Sequence, residues 1–158
     1  MNSAQEVLRE ASASDVPEIV SLINRAFAVE SFFKNGDRTS PETVREDMKD
    51  GNFLLLYEGD ALVGCIYVKI TRDHAYLGTL SVDPARQKAG LGTRMMGEAE
   101  AYARAKGCKV LDIRIVNLRT ELPPIYRKFG FVETGTETLK DTTKFTQPVH
   151  FVTMSKTL

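Results

Sequence analysis

Leu80-Ser81-Val82-Asp83-Pro84-Ala85-Arg86-Gln87-Lys88-Ala89-Gly90-Leu91-Gly92-Thr93 runs from the end of a strand, through a turn, into the start of a helix. Val82-Asp83-Pro84 ends the strand, because proline has no amide to continue a ladder. Gly90-Leu91-Gly92 then opens a helix whose Leu91, Met95, Ala99, Tyr102 and Ala103 fall on one face, and Gly107 stops it. Unpaired N–H groups and the helix dipole make such a start favourable for an anion. Two glycines let the backbone approach a ligand closely and take positive φ without a Cβ penalty. A P-loop is excluded, since no Gly-x-x-x-x-Gly-Lys-Ser/Thr run exists. A dinucleotide fingerprint is incomplete, with Met95 where its third glycine belongs. On its own the run reads equally well as a turn that merely starts a helix.

Outward from this stretch the pattern alternates in a defined order. Upstream, Val7 to Ala11 reads as a short strand. Val16, Ile19, Val20, Ile23, Ala26 and Phe27 recur at helical spacing after the start signals Ser14, Asp15 and Pro17. Ser40-Pro41-Glu42 opens a second helix through Val44 and Met48, after a loop that holds Phe32, Phe33 and Gly36. Phe53 to Tyr57 and Leu62 to Val68 read as strands of a hairpin turning at Glu58-Gly59-Asp60, and Tyr76 to Val82 as the next strand. Downstream, Val110 to Val116 alternates, with Leu111, Ile113 and Ile115 on the buried face and Asp112 and Arg114 opposite. Glu121 to Phe129 is a short helix with Pro123 and Pro124 in its first turn, and Phe131 to Thr134 and Val149 to Met154 close the chain as strands. The resulting order, β-α-α-β-β-β-α-β-α-β-β, predicts a mixed sheet with a βαβ crossover in the second half.

The chain has 158 residues, 42% hydrophobic and 27% charged, which fits one soluble domain. Its 21 basic and 21 acidic residues cancel. That balance argues against a nucleic-acid partner and against steering to an anionic membrane. Met1 to Glu10 carries no apolar signal region, and the run Phe53 to Tyr57 is far short of a membrane span, so a soluble cytoplasmic protein is expected. Cys65 and Cys108 lie far apart and only His74 and His150 join them, so no metal site is expected and both cysteines read as free thiols.

The quoted stretch resembles the acetyl-CoA-binding segment of the GCN5-related N-acetyltransferase (GNAT) family, whose pattern is Gln/Arg-x-x-Gly-x-Gly/Ala after a strand. The strand around Asp112, then Asn117, then Tyr126-Arg127-Lys128-Phe129-Gly130-Phe131 keep that family's order, the last matching its Tyr-x-x-x-Gly-Phe. The resemblance implies an α/β (α+β) fold, a GNAT-like, mostly antiparallel seven-stranded sheet flanked by about four helices. It implies a single acetyltransferase domain over 1–158, with 1–75 as the acceptor side and 76–158 as the acetyl-CoA-binding and catalytic half. The implied activity is transfer of an acetyl group from acetyl-CoA, as co-substrate, directly to a primary amine of a small molecule or protein, without metal. A domain that binds acetyl-CoA as a sensor or scaffold without catalysis is the alternative, and a homodimer is compatible with the resemblance.

The family's roles carry over residue by residue. The amides of Lys88, Ala89, Gly90, Leu91, Gly92 and Thr93 would cradle the pyrophosphate, with Gln87 opening the loop. The strand end Leu80, Ser81, Val82 would pair with the pantetheine arm, one of its amides polarising the thioester carbonyl. Tyr126 matches the general acid that protonates the CoA sulfur, and Asn117 a cofactor contact or, equally, a turn former. Asp112 resembles an acid that the protein N-terminal acetyltransferases carry on this strand and is a candidate base, the alternative being an ion pair with Arg114 or a neighbouring lysine. Glu30 reads as a solvated loop acid, or as a binder of the acceptor's ammonium, while Phe32 and Phe33 read as core or lid residues.

Overall fold

A computed structural model of the chain describes residues 6–158, apart from the side chains of Lys88 and Ala89. Seven strands, β1 (Glu6–Glu10), β2 (Asn52–Glu58), β3 (Ala61–Thr71), β4 (His74–Val82), β5 (Val110–Val116), β6 (Val132–Glu137) and β7 (Phe151–Thr157), form one sheet in the order β1-β2-β3-β4-β5-β7-β6. Four α-helices accompany them: α1 (Val16–Ala26), α2 (Pro41–Asp50), α3 (Leu91–Ala105) and α4 (Leu122–Lys128). The chain order of these elements is the one expected from periodicity. Every strand pair is antiparallel except β4–β5, which is parallel because α3 carries the chain back across the sheet.

Both faces of the central strands are covered, which explains why β2 and β3 read as continuous apolar runs rather than alternating ones. Leu54, Leu56, Ile66 and Val68 point to the side where Met95, Ala99 and Ala103 of α3 pack with Leu111, Ile113, Ile115 and Phe131. Phe53, Leu55, Cys65 and Tyr67 point the other way, against Ile19, Leu22 and Ile23 of α1 and Val44 of α2. Cys65 and Cys108 are both free and buried. Arg9 of β1 clasps Asp15 through two 2.8 Å bonds and so ties the edge strand to the start of α1. That guanidinium holds the Asp15 carboxyl well below the usual carboxylate range.

Two irregularities open the middle of the sheet. The β4–β5 pairing runs only from His74↔Val110 to Tyr76↔Asp112, although both strands continue, so they diverge beyond that point. On its other edge β4 slips by one residue against β3: Tyr67 pairs with Gly78 but Cys65 with Ser81. This is a β-bulge, and Thr79 inside it takes φ 46°, a left-handed conformation that a β-branched residue adopts at a cost of about 1–3 kcal/mol.

The connection between α1 and α2 includes a 3-10 segment, Phe27–Phe32, and is braced from the β6–β7 connection. The Asn35 amide donates to Lys144 O at 2.7 Å and the Thr146 amide to Phe33 O at 2.9 Å. Phe33 is fully buried and its ring stacks on Phe145, centroids 6.1 Å apart, whereas Phe32 is exposed.

Candidate active site

The divergence of β4 from β5 leaves a cavity of about 540 Å³. Gly78, Thr79 and Leu80 of β4 form one wall and Ile113, Arg114 and Ile115 of β5 the other, with the start of α3 and the inner side of α4 closing it.

The α3 end has the chemistry of an anion site. Asp83 accepts the Ala85 amide at 3.0 Å and starts a 3-10 turn, Pro84–Ala89, that delivers the chain to Gly90. Gly90 sits at φ 77°, a conformation open to glycine and strained for other residues. The first intrahelical bond is from the Arg94 amide to Gly90 O at 3.1 Å. The amides of Leu91, Gly92 and Thr93 therefore have no acceptor within the helix and sit at its positive end. No atom lies within 4 Å of where a Cβ would stand on Gly90 or Gly92, and both glycines line the cavity. A diphosphate fits this cradle: it needs close backbone approach and several converging amides, and both are present.

Tyr126 projects from α4 into the same cavity. Its ring stands edge-on to Phe131, with centroids 5.8 Å apart, and is tilted against Phe129 at 6.2 Å. Among the described residues none hydrogen-bonds its hydroxyl. Burial pushes the phenol up to about 12, Arg119 pulls it back and Tyr76 adds to the rise.

The structure brings Leu80, Gln87, Gly90, Gly92, Thr93 and Tyr126 to one cavity. Ser81, Val82 and Leu91 are buried in the protein around it, Ser81 with its hydroxyl donated to Thr79 O at 2.9 Å. Lys88 and Ala89 belong to the preceding turn, and their side chains lie outside the described residues. Asn117 is not among the residues lining the cavity and is engaged with His150: its Oδ1 accepts the His150 amide and its own amide donates to His150 O, both at 2.9 Å. It thereby closes the β5–β7 ladder.

Asp112 does not meet Tyr126. Its oxygens are held by Ser155 Oγ at 2.6 Å and His74 Nδ1 at 2.7 Å, partners other than the Arg114 or lysine of the alternative reading. It lines a second cavity of about 740 Å³, which shares Arg38, Tyr76, Gly78, Thr79, Ile113 and Arg114 with the first. Asp47 and Asp50 of α2 face this second space. Burial raises the Asp47 carboxyl above its ordinary value, with Arg38 opposing the rise.

Glu30 departs from the expected solvated loop acid. It is 5% exposed and accepts from Arg119 at 2.9 Å, a pair that locks the Phe27–Phe32 segment to the turn after β5. Arg38, Asp47, Arg114 and Arg119 carry no motif that distinguishes them in the sequence; they become site residues only because distant segments converge. Among the described residues no group of three or more His, Cys, Asp or Glu is placed to hold a metal ion, and no helix is long and apolar enough to cross a membrane.

Comparison with known proteins places these features in a family. An amino-acid acetyltransferase of Azotobacter vinelandii is 29% identical over 136 residues, which cover 85% of this chain and 29% of that protein. This chain thus spans under a third of that relative's length. Among solved structures, the ribosomal-protein-S18-alanine N-acetyltransferase of Escherichia coli superposes with a TM-score of 0.80 at 17% identity, covering 97% of this chain and 94% of that one. A GNAT family acetyltransferase of Elizabethkingia anophelis, crystallised with acetyl-CoA bound, gives 0.77 at 16% identity over 97% and 98% of the two chains. At such identities these two structures speak for the fold. The model of the acetyltransferase (GNAT) domain matches residues 17–158, nearly the whole chain, and the chain therefore belongs to the GNAT acetyltransferase family.

Proposed function

We propose that this chain transfers an acetyl group from acetyl-CoA directly to a primary amine, and that transfer takes place in the gap between β4 and β5. The observation that carries this reading is the single cavity lined by the start of α3, the bulged β4 and Tyr126. Acetyl-CoA supplies an activated acetyl thioester. The amides of Leu91, Gly92 and Thr93 hold its diphosphate, and the β4 backbone from Gly78 to Leu80 offers pairing groups to the pantetheine arm. Tyr126 donates a proton to the departing sulfur as the C–S bond breaks and the new C–N bond forms.

The attacking amine must first lose its own proton, and it arrives through the second cavity. Two carboxylates there are candidates for taking that proton. Asp112 is the one expected from sequence, although His74 and Ser155 already occupy its oxygens. Asp47 has no such partners among the described residues, and burial raises its carboxyl above its ordinary value, which improves it as a proton acceptor. The non-catalytic alternative, a sensor that only holds acetyl-CoA, has no use for a free phenol aimed into the cavity.

A thermal-shift panel of acetyl-CoA, NAD and ATP followed by amine-dependent thiol release tests the reading. Stabilisation by acetyl-CoA and release of CoA with an amine support it, whereas stabilisation by NAD or ATP alone overturns it. Asp47→Asn and Asp112→Asn, assayed separately, assign the base to whichever change lowers turnover without weakening acetyl-CoA binding.

A further inference from the structure

We propose that the acceptor amine also carries a carboxylate, and that Arg38 is the residue that binds it. This rests on the transferase reading above and specifies its second substrate. Arg38 lies in the α1–α2 connection and borders both the Tyr126 cavity and the second cavity. Its guanidinium lies over the Phe27 ring, 5.0 Å from the centroid, which fixes its plane while leaving its N–H fork free. It is half-buried, yet no carboxylate lies within ion-pair distance of it among the described residues.

Among the described residues no surrounding acid pairs with that charge, although Glu30 and Asp37 line a smaller cavity beside it. Glu30 is the one acid lining the Tyr126 cavity among the described residues, and Arg119 holds it at 2.9 Å. On the far side Lys34 is lowered by burial first and then by Arg38, with Glu30 opposing the fall and Lys144 adding to it. Asp47 lines the second cavity together with Arg38, whose charge opposes the rise of the Asp47 carboxyl without an ion pair between them. A half-buried guanidinium without a partner is unfavourable unless an anion completes it, and the planar fork matches a carboxylate through two parallel bonds. With Arg38 and Asp47 both facing the space where the acceptor enters, a small zwitterionic amine is complementary to it: carboxylate toward Arg38, ammonium toward the acids.

The test compares free L-amino acids with their α-carboxamides as acceptors, reading CoA thiol release by the intact chain, with direct titration of acetyl-CoA alongside. Free acids should be acetylated and the matching carboxamides disfavoured. Arg38→Gln should lower kcat/KM for the free acid about 10- to 100-fold, the loss expected for a charge-assisted pair, through KM and not through acetyl-CoA affinity. Arg38→Lys keeps the charge without the fork and should fall between the two. Carboxamides accepted as well as acids, no accepted acid at all, or Arg38→Gln with unchanged KM would each overturn the proposal. Weakened acetyl-CoA binding in Arg38→Gln would also overturn it, by assigning the arginine to the donor. Failure of the transferase reading looks different, since acetyl-CoA would then neither stabilise the chain nor yield free thiol.

Discussion

Tyr126 shows how a residue's surroundings set the role that its type only suggests. An ordinary phenol near 10 lies within reach of a thiol at roughly 8.5. Burial holds this one at about 12. A raised value on an acid means that the neutral form is favoured, so Tyr126 keeps its proton throughout the pH range in which an amine acceptor is assayed. Full transfer to a free thiolate would then be uphill, because the thiol gives up its proton more readily than this phenol does. The phenol therefore acts on charge as it develops at sulfur, and Arg119 eases the transfer by favouring the phenolate. Tyr126→Phe should lower kcat about 10²- to 10⁴-fold while acetyl-CoA binding, measured by calorimetry, barely changes. The alkaline limb of the wild-type rate profile should show no midpoint assignable to Tyr126 below about pH 11. A limb near pH 9 that vanishes in the phenylalanine variant would contradict the part-buried, fully protonated phenol.

At the scale of elements, the start of α3 separates two uses of glycine. Gly90 takes φ 77°, so Gly90→Ala forces a left-handed alanine at about 1–2 kcal/mol and should lower Tm. Gly92 stands in the first turn of the helix without positive φ and with open space beside it, so Gly92→Ala should leave Tm unchanged or raised. Its methyl would project where a diphosphate approaches the amides, so acetyl-CoA affinity should drop all the same. Melting curves with and without acetyl-CoA distinguish the two variants; equal affinity for wild type and Gly92→Ala would remove the amide cradle from the site. This element was legible in advance because its chemistry is local: a strand end, a turn, two glycines and a helix face adjoin in sequence. The bulge in β4 was not. Nothing in Leu77-Gly78-Thr79-Leu80 announces a left-handed threonine, which arises because β4 must pair with β3 on one edge while leaving β5 on the other. Asp112 shows both halves of the lesson. Period-two alternation placed it correctly opposite Leu111 and Ile113, but its partners His74 and Ser155 come from strands on either side of it, which spacing along one strand cannot specify.

Across the whole molecule, a buried ion pair ties the connection between α1 and α2 to the turn after β5. Glu30 belongs to the first and Arg119 to the second, with side chains 7% and 13% exposed. Zero net charge concealed this, since charge counting cannot tell a solvated pair from one that joins the wall of a cavity. The braced connection from Asn35 to Thr146 supports the same corner through backbone bonds, so the fold does not depend on the pair for its topology. What the pair does is set which charges remain free toward the acceptor. Arg119→Met alone should cost about 3–5 kcal/mol, because it leaves Glu30 buried and unpaired. The combined Glu30→Gln, Arg119→Met variant should recover most of that loss, since well-packed neutral groups replace a buried pair with little penalty. Denaturant melts of wild type, the two single variants and the double variant complete the cycle, and a coupling energy near zero would show that the pair is solvated and not a joint between these two connections. In the double variant Arg38 keeps its place, so selectivity for a carboxylate-bearing acceptor should survive even as Tyr126 loses the charge that eases its proton transfer. Turnover should then fall while the ratio of free acid to carboxamide stays fixed, a split that only a division of labour between Arg119 and Arg38 produces.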